Sequence, residues 1–339
     1  MPAAPRIDVH SHFNHPRYFE ELLAAGAAEQ LPIFRILGHL WLPGHEQGAR
    51  AALGGDHEAL ERRLEDMDAA GIDLQVLSVG AVQPYLSEPA AAAHVSGLVN
   101  DLYRELIDRE PARLTAFGTL PLPHLDESRR ELIRVLDTHG FAGVALGCSA
   151  GRLPLDDERF DPLWAELDRR SAIVYLHPGH QIDGIVGCVD FHLAPDFVSP
   201  AEMAVAVGRL IVRGHTARFP NVTVIAATLG GALPFLAHRF DRGLLQDCPE
   251  RYEELGGVLP HLRHFFYDTS VVEEPLALLS AREAYGGDRL MLGTDYARPG
   301  VRSAAAVEYV TSSEHLTGAE KEATLGGNAA TVLDLPVTA

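Results

Sequence analysis

Two histidines stand two residues apart near the start of the chain, in Asp8-Val9-His10-Ser11-His12. Side chains alternate along an extended strand, so His10 and His12 share one face. Two imidazoles on one face at a strand end can both reach one metal ion. A third histidine closes an apolar run, Tyr175-Leu176-His177-Pro178, and a carboxylate closes another, Gly293-Thr294-Asp295. Each feature is weak alone. A His-x-His arises easily by chance among 17 histidines. A His-Pro step is more often a turn, and Asp295 can equally cap a following helix. Together, three histidines and an aspartate form a ligand set for one divalent ion. Zinc is the expected ion; manganese and iron suit the same donors.

These residues need a frame that brings them together. Eight short apolar, β-type runs recur, at 6–9, 73–78, 114–120, 142–146, 172–176, 222–227, 265–267 and 289–292. Between them lie stretches with helical periodicity, among them 58–70, 91–110, 127–139, 162–170 and 200–219. Strands alternating with helices imply right-handed βαβ units and a parallel sheet. Eight such units predict an α/β fold, a (β/α)8 TIM barrel, whose active site lies at the C-terminal ends of the strands. His10 and His12, His177 and Asp295 fall at the ends of runs one, five and eight. Gly71 and Gly140 follow two of the helical stretches, as helix-ending glycines do. The stretch 13–55 is too long for a simple βα loop. It reads as an insertion with short helices over the barrel mouth, and 179–199 is a second long loop. No linker divides the chain, so 1–339 is read as one domain.

Composition excludes other classes. The chain has 339 residues, 47% hydrophobic and 22% charged. That is an ordinary globular profile and excludes a disordered or collagen-like chain. The formal charge of −19 repels phosphate backbones, so no nucleic-acid partner is expected. No apolar stretch is long enough for a membrane span. The N-terminal residues carry no secretory signature, so a cytoplasmic protein is expected. Cys148, Cys188 and Cys248 are odd in number and far apart, against both a disulfide framework and a cysteine zinc site.

The chain resembles the amidohydrolase superfamily, family 2, in the branch that holds the aminocarboxymuconate-semialdehyde and ortho-hydroxybenzoate decarboxylases. The resemblance runs through Arg6-Ile7-Asp8-Val9-His10-Ser11-His12, Glu65-Asp66-Met67-Asp68-Ala69-Ala70-Gly71-Ile72-Asp73 and Leu176-His177-Pro178. It continues through Leu229-Gly230-Gly231-Ala232, Leu292-Gly293-Thr294-Asp295-Tyr296 and Gly327-Asn328-Ala329. It implies a barrel with one catalytic metal held by His10, His12, His177 and Asp295. In this branch a histidine usually ends the sixth strand and deprotonates a water. Here the stretch reads Ala226-Ala227-Thr228-Leu229-Gly230-Gly231. The Thr228 hydroxyl can hydrogen-bond a substrate oxygen but cannot act as a base near neutral pH. Three readings stay open. His180 substitutes, or the reaction needs no such base, or activity has been lost.

Arg239 matches an arginine that the branch lends to a neighbouring subunit to grip a substrate carboxylate, which implies a homodimer. A salt bridge with Asp241 is the structural alternative. Arg50 and Arg298 are further candidates for substrate binding. Other residues take plain structural readings. His139, His215, His261 and His264 are surface or core residues. The cysteines are small buried hydrophobes, and Glu61, Arg62, Arg63 and Glu65 form a solvated helix face. The expected activity is metal-dependent decarboxylation of a small aromatic or dienoic carboxylate, with Asp295 as proton carrier. The alternatives are hydrolysis or cyclodehydration at an amide, ester or lactone, and a catalytically silent binding protein.

Overall fold

The computed structural model describes residues 5–13, 15–31, 33–34, 57–179, 185, 187–189, 193–270, 274–296 and 302–335. Eight parallel strands follow one another in chain order. They are β1 (Ile7–His12), β2 (Leu74–Ser78), β3 (Leu114–Thr119), β4 (Gly143–Gly147), β5 (Ile173–His177), β6 (Thr223–Ala226), β7 (Phe265–Asp268) and β8 (Leu290–Met291). The chain beyond β8 returns to β1. Val9 N–H donates to Leu292 O at 2.9 Å, Asp295 N–H donates to His10 O at 2.8 Å, and Ser11 bridges Tyr296 in parallel. These contacts join the two edges, so the sheet is the (β/α)8 barrel that the rhythm of the sequence predicts.

The strands take this form because they are apolar on both faces. All five residues of β4 and of β5 are buried. Such strands pack side chains inside the barrel and helices outside it. The helices His57–Ala70, Pro89–Arg109 and Asp161–Arg169 match their predicted stretches closely, and 127–139 is covered by the α-helix Leu125–Ile133 continued by a π-helical turn, Arg134–Thr138. The stretch 200–219 differs. It forms two helices, Ser199–Val212 and His215–Arg218, parted at Gly214, whose φ is 75°. A glycine in the left-handed region ends a helix in this way. Within 13–55, the described residues form two short helices, Pro16–Ala24 and Ala27–Gln30. The Tyr18 hydroxyl donates to Val82 O, just past β2, which ties the first of them to the C-terminal end of the barrel.

Two plain readings change, and a third narrows. Cys248 is exposed, because it lies between two helices at the surface. Arg63 is buried rather than solvated. His215 is a core residue: its ring lies edge-on to Trp164 at 5.1 Å and beside Phe219 at 5.3 Å.

Neither ring nitrogen of His215 has a hydrogen-bond partner among the described residues. Burial first, then the Arg218 cation, push its pKa down from 6.5 to about 4. The folded protein holds the ring neutral where the unfolded chain takes up a proton. The associated stability is complete above pH 6.5 and is lost as pH falls towards 4. At ~1.4 kcal/mol per pKa unit, the loss reaches about 2–3 kcal/mol. The His215→Phe variant is expected to lose that much less stability between pH 7 and pH 4, measured by urea unfolding at each pH. Equal losses in both proteins would show that His215 does not set this dependence.

Candidate metal centre

His10 and His12 project from β1, His177 ends β5, and Asp295 follows β8. Their ring centroids form a near-equilateral triangle: His10–His12 4.9 Å, His10–His177 5.1 Å and His12–His177 5.0 Å. His10 Nε2 lies 3.1 Å from His12 Nε2. Asp295 Oδ1 lies 3.3 Å from the first and 2.9 Å from the second. One ligand atom from each of the four residues falls within 4.8 Å of all the others.

The tautomers follow from what lies behind each ring. His10 Nδ1 faces the Asp268 carboxylate at 3.1 and 3.2 Å. His12 Nδ1 lies 3.3 Å from Ser78 O and 3.2 Å from its hydroxyl. His177 Nδ1 lies 2.9 Å from Pro178 O. Carbonyl and carboxylate oxygens only accept, so each Nδ1 carries the proton and each Nε2 keeps its lone pair. Gly80 gives the His12 ring its room, since a Cβ there would lie 2.6 Å from the ring carbon Cε1.

Electrostatics sharpen the pattern. Burial lowers the His177 pKa well below its usual value, and the His12 and His10 rings lower it further. Burial would lower His10 too, but the Asp268 and Asp295 carboxylates raise it to about 10, so without an ion His10 holds a second proton that a bound metal displaces. Burial would raise Asp295, yet the His10 and His12 rings beside it hold it well below the carboxylate range. The site thus attracts positive charge. Ligand atoms bound about 2.0–2.2 Å from one ion lie about 3.0–3.5 Å from one another. Lone-pair nitrogens 3.1 Å apart repel unless a cation lies between them, so this donor set fits a single divalent ion.

A family description, Amidohydrolase, matches residues 7–335. The chain belongs to the amidohydrolase family. This amidohydrolase is similar to a 2-amino-3-carboxymuconate-6-semialdehyde decarboxylase of Dictyostelium discoideum, at 28% identity over 80% of this chain and 76% of that one. It is similar also to a gamma-resorcylate decarboxylase of Rhizobium radiobacter, at 29% identity over 76% of this chain and 85% of that one. A solved 5-carboxyvanillate decarboxylase of Novosphingobium aromaticivorans superposes with a TM-score of 0.84 at 22% identity, over 98% of this chain and 96% of that one. At that identity the likeness is one of fold. That structure contains manganese, and zinc gains no support of its own from it.

The remaining candidates divide. Thr228 lies at φ 55° and opens a turn in which Leu229, Gly230 and Gly231 also have positive φ. Its N–H donates to Asp268 Oδ1 at 3.2 Å, and its hydroxyl lies 3.3 Å from the Ser270 hydroxyl. Thr228 therefore connects to the metal ligands through Asp268. Arg239 is exposed on the helix Leu233–Asp247. Asp241 does not pair with it. The Asp241 carboxylate accepts instead from Val258 N–H at 2.8 Å and the Tyr252 hydroxyl at 3.2 Å. His180, Arg50 and Arg298 lie outside the described residues.

The sequence reading missed Asp268. It ends β7, one residue beyond the run read as 265–267. Besides His10 and Thr228, the Tyr175 hydroxyl donates to it at 3.1 Å and Ser270 N–H at 2.9 Å. Burial would raise its pKa, but His10 and Ser270 hold it below the usual value. The signal available was an acid directly after an apolar strand run. Carboxylates behind a metal-binding histidine fix its tautomer and raise its basicity. The Asp268→Asn variant is expected to bind Mn²⁺ or Zn²⁺ about 10–100-fold more weakly, measured by competition with a chromogenic chelator. Unchanged affinity would remove Asp268 from this role.

Proposed function

We propose that this amidohydrolase is a non-oxidative decarboxylase, a C–C lyase acting on a small aromatic or dienoic carboxylate. The observation that carries the reading is the convergence of His10, His12, His177 and Asp295 on one point at the barrel's C-terminal face. The decarboxylase relatives that span most of the chain support it. His10, His12, His177 and Asp295 would hold one divalent ion, zinc or manganese. When bound, that ion supplies Lewis-acid stabilisation of the negative charge developing on the substrate.

The rest is the work of the chain. In the reaction the bond between the substrate carbon and its carboxyl carbon breaks. The electron pair stays on the substrate carbon, a proton joins it, and CO₂ leaves. Asp295 stands beside the ligand point and is the proton carrier in this reading. Its depressed pKa means that it rests ionised, so the one proton it passes to the carbon comes from solvent or from an acidic hydroxyl of the substrate, and Asp295 ends the reaction ionised again. Thr228 offers its hydroxyl to a substrate oxygen, with the buried Ser270 hydroxyl behind it. Neither can act as a base near neutral pH, and this reaction requires none there.

The same reading includes a homodimer. Phe235 is 87% exposed and stands one helical turn before Arg239. The helix Ser199–Val212 packs on this helix and exposes Val205, and Phe197 is exposed just before it. A second copy on this face would cover the apolar side chains and carry Arg239 towards its neighbour. The family resemblance gives that arginine a substrate carboxylate to grip.

Protein reconstituted with Mn²⁺ or Zn²⁺ is expected to hold about one equivalent of ion by elemental mass spectrometry. It is expected to release CO₂ from at least one ortho-hydroxybenzoate or aminomuconate-type acid. The double variant His10→Ala, His177→Ala should lose both. Hydrolysis of an aryl ester or amide without CO₂ from any acid would replace the lyase with a hydrolase. By analytical ultracentrifugation the wild type should sediment as a dimer and Phe235→Glu as a monomer. A monomeric wild type would sink the dimer.

A further inference from the structure

Behind the metal ligands lies a buried cation that the mechanism has not used. Arg63 sits on the helix His57–Ala70 and is 2% exposed. Its Nη1 donates to Gln75 Oε1 at 2.8 Å, and its Nη2 donates to the His12 carbonyl. Its guanidinium carbon lies 4.6 Å from the Tyr296 ring centroid and 5.4 Å from that of Phe13. Arg63 thus touches the residue before Phe13 and the residue after Asp295. The Tyr296 hydroxyl donates to Asp66 on the same helix at 2.8 Å, so one helix grips that ring at both ends.

The contacts continue inward. Gln75 Nε2 donates to Asp8 Oδ2 at 2.8 Å. Asp8 accepts from His10 N–H at 3.0 Å, from Thr294 N–H at 3.0 Å and from the Thr294 hydroxyl at 2.6 Å. One buried network therefore fixes the backbone around His10, His12 and Asp295, three ligands from the two ends of the barrel sheet. Burial lowers the Arg63 pKa to about 10, so the group stays charged at neutral pH. A planar fork that bonds two acceptors and stacks between two rings is a geometry that lysine cannot copy.

We infer that Arg63 is a positioning residue for the metal centre: it holds β1 and the Thr294–Tyr296 segment in the register that converges His12 and Asp295 on one ion. The inference rests on the proposed metal site, and its test separates the two. The probe is Mn²⁺ or Zn²⁺ alone, titrated into metal-free full-length protein against a chromogenic chelator, with the melting temperature of the metal-free form recorded in parallel. The wild type is expected to bind one equivalent. Arg63→Met, which keeps the apolar stem, should bind about 10–100-fold more weakly. Arg63→Lys, which keeps the charge and one donor, should fall between them. If Arg63→Met does not fold, Arg63→Lys decides, and weakening of threefold or more supports the role. Arg63→Lys within twofold of wild type overturns it, even where the metal-free melting temperature drops, since that is what a purely structural arginine would give. A wild type that binds no ion overturns the metal site itself.

Discussion

Three imidazole lone pairs and one carboxylate oxygen gather within 4.8 Å. Left to themselves these groups repel, and much of the barrel's C-terminal end is arranged to prevent their separation. Each imidazole is held from behind at Nδ1: His10 by Asp268, His12 by Ser78 and His177 by Pro178 O. Those anchors are strand-end atoms of β7, β2 and the segment after β5. The ligand geometry is therefore a property of strand register. The parallel pairing that joins β1 to β2, and β1 to the segment after β8, sets where the Nε2 atoms point.

The frame also stores strain at this end. Thr228 at φ 55° and Asp295 at φ 58° occupy the left-handed region. For a β-branched residue such a conformation is an outlier, and each such residue costs about 1–3 kcal/mol. Both are held by local hydrogen bonds. Thr228 N–H reaches Asp268, and Asp295 N–H reaches His10 O. Asp268 is thus shared between a ligand and a strained turn. The turn that presents the Thr228 hydroxyl is held by the same carboxylate that orients His10.

Much of this was legible in the sequence. Period-two alternation put His10 and His12 on one face, and the strand–helix rhythm put His177 and Asp295 at the same end of a barrel. The supporting residues were harder to see, for a physical reason. Arg63 stands among Glu61, Arg62, Glu65 and Asp66, and in that company a charge reads as solvated. Helical spacing carries the contrary signal: Leu60, Arg63, Met67 and Ala70 fall on one buried stripe. Asp268 hid by one residue past an apolar run. A buried charge is visible only through its partners, and the partners here lie far away in sequence. Gln75 is 12 residues from Arg63, and His10 is 258 from Asp268.

Charge balance ties the two layers together. Asp8, Asp268 and Asp295 are buried around the ligand point, and burial lifts Asp8 only to about 6, so it is largely ionised at neutral pH. Metal ligation requires neutral imidazoles, and three negative charges then face the single positive charge of Arg63. Unbalanced charge is costly in a low-dielectric interior. A divalent cation closes the difference and leaves the interior neutral. Removing Arg63 would unbalance that charge by one and also release the backbone that aims the carboxylates, so Arg63 contributes geometry as well as charge. An anionic substrate also meets this balance. Without the cation it would approach an excess of buried carboxylates, and with the cation it meets a neutral floor on which a developing negative charge can be stabilised.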